Sequence, residues 1–177
     1  VAACAVGFTF LAGEVGEDDD ILAFLPVGNE DVALFTAINK RFGGLDVAIV
    51  GIEVDDPFDP DFLSTLKDTT RALNDLESVE YALSLTNLED FTPDPEGGGI
   101  VLSNLVDRLP DSPQAKEALR AKVMSKDHVV GNLISADATA LNIYCFSGYG
   151  TDPKTVAGAV RQVVQERMPD MPIYWGG

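Results

Sequence analysis

His128 is the only histidine in the 177 residues. Any Ser-His-Asp triad would have to run through it, and a multi-histidine metal site within one chain is excluded. It stands in Ser125-Lys126-Asp127-His128-Val129-Val130, with no nucleophile elbow nearby, and reads as a solvent-facing histidine beside a helix end. The two cysteines, Cys4 and Cys145, form no Cys-x-x-Cys pair, which excludes a zinc ribbon and a thioredoxin-type redox site. Cys145 falls in the apolar run Asn142-Ile143-Tyr144-Cys145-Phe146 and reads as a free thiol in a buried strand.

Carboxylates are the abundant reactive group, 29 against 12 lysines and arginines. The densest clusters are Asp18-Asp19-Asp20 and the stretch from Asp55 to Asp61. Neither has the alternating ligands, central glycine and closing glutamate of a calcium loop. In the second cluster Asp59 precedes Pro60, the pattern of a helix N-cap followed by proline at the first helical position. Facing carboxylates can hydrolyse glycosides, but no spacing here specifies such a pair. Gly97-Gly98-Gly99 lacks the lysine and hydroxyl that follow in a phosphate loop. Gly148-Tyr149-Gly150-Thr151 would meet a helix N-terminus, yet Pro153 occupies the place of the third glycine in a dinucleotide-binding turn, so a tight strand-to-helix turn is expected. The residues specify no catalytic group, no cofactor site and no metal ligand.

The elements that would position these groups follow from periodicity. Asn29 caps a helix carrying Val32, Phe35, Ile38 and Phe42 at helical spacing, stopped by Gly43-Gly44. Asp46 to Val54 is apolar on both faces and suits a central strand. A helix from Pro60 follows, striped by Phe62, Leu63, Leu66, Leu73 and Leu76. Val79, Tyr81, Leu83 and Leu85 then alternate with a wetter face at Glu80, Ala82, Ser84 and Thr86. Residues 46–86 thus form a strand-helix-strand unit, expected to cross over right-handed with parallel strands. Residues 139–177 repeat it: a strand from Ala140 to Phe146, a helix capped by Asp152-Pro153, and a short strand over Met171 to Trp175. Between them, 87–138 reads as an insertion. It has a turn-rich loop from Phe91 to Gly99, a short strand at Ile100-Val101-Leu102, a basic helix capped by Ser112-Pro113, and a helical turn over Val129 to Leu133. The expected class is α+β, a ferredoxin-like split βαβ sandwich with a helical insertion, preceded by a membrane-proximal segment and helix over 1–45.

The charge is divided along the chain. Residues 1–111 hold 23 acids and 5 bases; residues 112–177 hold 6 acids and 7 bases, together giving the net charge of -17. So acidic a chain is a poor partner for nucleic acid. The acidic part ends where the basic helix begins, and a polar face between the two parts is expected to be where they, or two neighbouring domains, meet.

Certain words and their order resemble a known family. Phe24-Leu25-Pro26, a helix ending Arg41-Phe42-Gly43-Gly44, and a strand directly after it resemble the first large extracytoplasmic loop of resistance-nodulation-division exporters, in their MMPL and hopanoid- or lipid-exporter branch. Ser84-Leu85-Thr86-Asn87, Val130-Gly131-Asn132-Leu133-Ile134-Ser135-Ala136-Asp137 and Ile173-Tyr174-Trp175-Gly176-Gly177 resemble further words of that loop. The resemblance implies a porter-type periplasmic domain of an inner-membrane, ion-driven pump, built from split βαβ units. Val1 to Ala5 then reads as the last turn of one membrane helix, and Gly177 as standing shortly before the next. The family's ion-relay carboxylates lie in its membrane helices, so no catalytic or relay residue carries over.

The expected function is guidance of a hydrophobic or amphipathic substrate (a lipid, hopanoid or drug-like molecule) without covalent chemistry and without a cofactor. The rest of the transporter is the expected partner, with a homo-oligomer as a further possibility. Phe91, Leu102, Leu105 and Val106 are the candidate substrate-facing residues. A stand-alone ferredoxin-like module binding a small ligand is the alternative, and an acidic hydrolase with a carboxylate pair is a third reading.

Overall fold

The computed structural model describes residues 28–42, 46–93 and 97–177. The chain divides into two compact units, Val1–Ile38 and Asn39–Gly177. Phe24-Leu25-Pro26, Cys4, the Asp18-Asp19-Asp20 cluster and the Val1–Ala5 segment lie outside the described residues. Helix α1 spans Glu30–Phe42. Its cap is Asn29, whose side-chain oxygen accepts from the Asp31 amide at 2.8 Å. Glu30 and Asp31 sit at its positive end, and Lys40 and Arg41 at its negative end.

The second unit is α+β. Strand β1 (Val47–Glu53) leads through a turn into α2 (Pro60–Asn74) and then β2 (Val79–Leu83). A hairpin follows, β3 (Glu89–Pro93) and β4 (Ile100–Asn104), and then α3 (Pro113–Met124). Strand β5 (Ala140–Ser147), α4 (Pro153–Arg167) and β6 (Ile173–Gly176) complete it. Three helices start where the local chemistry directs. Asp59, Ser112 and Asp152 each accept an amide hydrogen bond from the first turn, with proline in the position where no donor is needed.

Four strands form one sheet in the order β2-β5-β1-β6, with every neighbouring pair antiparallel. β1 and β2 run in the same direction, but β5 lies between them. The direct parallel pairing expected of the first strand-helix-strand unit is therefore absent. β5 pairs antiparallel with both strands and keeps them apart.

One sheet face carries Val50 and Ile52 of β1, Ala82 of β2 and Leu141, Ile143 and Cys145 of β5, all buried. Phe62, Leu63, Leu66 and Leu73 of α2 and Val156, Val160 and Val164 of α4 join the same core. The helices pack on each other and on the sheet. Leu105, Val106, Val123, Val129, Leu133 and Ile134 from the insertion belong to this core as well.

Two local expectations change. The alternation expected over Val79 to Thr86 holds in part: Val79 and Leu85 are buried, but so are Ala82, Ser84 and Thr86, whereas Tyr81 is exposed. The cause is a register shift between Val79 and Tyr81, which places both Glu80 and Tyr81 outward before alternation resumes. The strand also stops at Leu83, where Asn87 takes over the backbone: its side-chain oxygen accepts from the Ser84 amide and its amide donates to the Ala82 carbonyl. Phe91 to Pro93 is strand rather than loop. Val129 to Leu133 makes the expected single helical turn, its Leu133 amide donating to the Val129 carbonyl at 2.9 Å, and Ile134 then bridges to Leu141 of β5.

Candidate functional site

The four expected substrate-facing residues separate into two pairs. Phe91 and Leu102 stand directly opposite each other in the β3–β4 hairpin and are 66% and 53% exposed. Leu105 and Val106 are 2% and 5% exposed and serve the core, so the assignment fails for them. The reason is tertiary: the chain leaving β4 turns inward at once, with the Leu105 amide donating to the Leu88 carbonyl at 2.7 Å. Two exposed apolar residues were missed, Ile100 and Val101. Strand alternation puts Ile100 on the face of Phe91 and Leu102, making a small apolar surface.

Asp90 holds this hairpin in place. Period-two alternation points it away from Phe91, and it is 4% exposed. Lys126 donates to its Oδ1 at 2.6 Å. The Lys122 ammonium lies 3.2 Å from Oδ2 as an ion pair, without the alignment of a hydrogen bond. Lys122 also donates to the Leu105 carbonyl at 3.0 Å. The two lysines are four residues apart and so share one side of the helix as it ends. The Lys126 hydrogen bond holds the Asp90 carboxyl below its ordinary value; burial opposes this, and Lys122 adds to the lowering.

The start of the same helix makes a second junction. Lys116 and Arg120 both pair with Asp56 in the turn between β1 and α2, and the Arg120 guanidinium sits over the Phe58 ring, 4.9 Å from its centroid. Burial disfavours ionised Asp56, but the Lys116 hydrogen bond, the Phe58 amide and the Arg120 charge outweigh it and keep the carboxyl low. The basic helix thus meets the acidic part of the chain at Asp56 and Asp90, the polar junction expected from the charge division. Which acids would be used was not legible, because Asp90 and Lys126 are 36 positions apart.

The remaining reactive groups have structural surroundings. His128 is exposed just after α3. Cys145 is buried, and burial pushes its thiol up to about 12. Asp137 is held low by the Ser135 and Thr139 hydroxyls, and Asp152 by the Thr155 side chain it caps. These are hydrogen-bonded anions, the reverse of a carboxyl tuned upward to act as a general acid. Asp59 caps α2 as expected. Gly148 to Thr151 is a tight turn closed by the Thr151 amide on the Gly148 carbonyl, with Gly150 at a φ of 78°. Among the described residues no helix is long and apolar enough to cross a membrane. No protein-family model matches the chain, and no curated protein matches it in sequence.

Proposed function

We propose that this chain is the extracytoplasmic, porter-type domain of a resistance-nodulation-division exporter of the MMPL and hopanoid- or lipid-exporter branch. It guides a hydrophobic or amphipathic substrate and performs no covalent chemistry. The observation that carries the reading is the strand order β2-β5-β1-β6 with its connecting helices α2 and α4 in one core. We read this as the ferredoxin-like split βαβ sandwich from which the family's porter domains are built. The family-like words fall at the sandwich's joints: Ser84-Leu85-Thr86-Asn87 closes β2, Gly131 to Asp137 delivers the chain to β5, and Gly176 ends β6. The pinned hairpin with exposed Phe91, Ile100 and Leu102 is the surface offered to substrate.

The test places Asp127→Cys, at an exposed position beyond α3, in the full-length gene product. Intact cells are treated with a membrane-impermeant maleimide. Labelling in intact cells equal to that in lysed cells is expected. Labelling that appears only after lysis would contradict an extracytoplasmic location.

A further inference from the structure

The two edges of the four-stranded sheet differ. At the β2 edge the outward backbone groups of Ala82 are taken up by side chains. Its amide donates to Asn74 Oδ1 at 2.9 Å, and its carbonyl accepts from Asn74 Nδ2 at 3.0 Å and Asn87 Nδ2 at 2.8 Å. The Asn74 amide thus stands in for a neighbouring strand and closes that edge to pairing.

The β6 edge has no such cover. The Glu53 amide donates to the Pro172 carbonyl at 3.1 Å, which sets the alternation of the β1–β6 ladder. Pro172, Tyr174 and Gly176 turn their backbone groups toward β1; Ile173 and Trp175 turn theirs to the open side. Among the described residues nothing meets those outward groups.

Beside this edge is an open cleft of about 410 Å³, lined by Gln165, Met168, Pro169, Met171, Ile173 and Trp175. Two methionines let it adapt to more than one side chain. Arg161 sits over the Trp175 ring, 5.0 Å from its centroid. Like Lys67 and Arg167, Arg161 has no carboxylate within ion-pair distance among the described residues.

We propose that the outer edge of β6 receives an extended, acid-bearing segment of a partner protein as an added strand. Ile173 and Trp175 give and accept its backbone hydrogen bonds, a large apolar side chain of the segment fills the cleft, and a neighbouring carboxylate meets Arg161. A bare strand edge supplies affinity for any extended backbone, and a side-chain pocket beside it supplies selection. The unpaired guanidinium sets the partner's charge.

The test selects short random peptides displayed on phage against the full chain and measures the enriched sequences as free labelled peptides by fluorescence anisotropy. The expected peptides combine a large apolar residue with an acidic one. Arg161→Glu and Trp175→Ala should each weaken binding by about tenfold or more, while Phe146→Ser on the other sheet face should leave it unchanged. N-methylation of every second peptide amide should abolish binding in one phase and spare it in the other, a readout that needs no variant protein. The proposal is overturned by no enrichment above the Arg161→Glu variant, or by binding indifferent to N-methylation in both phases. A concentration-dependent dimer that Trp175→Ala dissolves would also overturn it, by placing a second copy on the edge.

Discussion

Asp90 shows how one buried acid can decide the placement of an exposed apolar surface. Its carboxylate would be costly to bury alone, and two lysines four residues apart make the position tenable. Its carboxyl is held low in the folded state. The stabilisation is therefore present above the ordinary carboxylate pKa of about 4 and is lost as pH falls through the folded value. Asp90→Asn should lower the unfolding free energy by roughly 2–3 kcal/mol near neutral pH. The gap between wild type and variant should shrink below about pH 4. Urea titrations at neutral and acid pH measure both; an equal gap at the two would mean that charge is not what anchors the hairpin. Phe91 and Leu102 were candidate surface as residues of the insertion expected to line a groove beside the sheet. Leu105 and Val106 were not distinguishable from them, since a residue just past a strand reveals its direction only through the turn that follows.

At the scale of elements, local rules were readable and non-local ones were not. Asp59-Pro60, Ser112-Pro113 and Asp152-Pro153 each mark a helix start within a few residues, because a cap satisfies its own helix. The start of β2 was legible, but its faces change places at Tyr81 and Ala82, since a one-residue slip leaves no local mark in Val79-Glu80-Tyr81. β3 was hidden by the Thr92-Pro93 sequence, which reads as a turn; a two-stranded hairpin tolerates proline at a strand end. The two sheet edges belong to this scale too. Asn74→Ala should leave the Ala82 amide and carbonyl less well satisfied and cost about 1–2 kcal/mol. Faster hydrogen exchange at Ala82, beside unchanged exchange at Ile143 in the sheet centre, would check it; unchanged protection at Ala82 would show that Asn74 does not close that edge.

For the whole molecule, the charge division describes how the chain is joined. The acidic part supplies Asp56 and Asp90, and the helix that opens the near-neutral part supplies three cations to them, with Lys126 just past its end as a fourth. That joint holds an apolar hairpin face outward while its other face is tied to α3. Apart from β3, the order of elements was readable from periodicity; the interposition of β5 between β1 and β2 is a long-range pairing that one strand's sequence does not reveal. The central claim is that the outward hairpin face meets an amphipathic or hydrophobic substrate. Its most direct test is photo-crosslinking in cells expressing the full-length protein, with a photoreactive amino acid placed in turn at Phe91, Leu102 and Asp127 and lipids labelled metabolically by a clickable fatty acid. The account predicts lipid adducts at Phe91 and Leu102 well above those at exposed Asp127. Adducts at Phe91 and Leu102 no stronger than at Asp127 would contradict it.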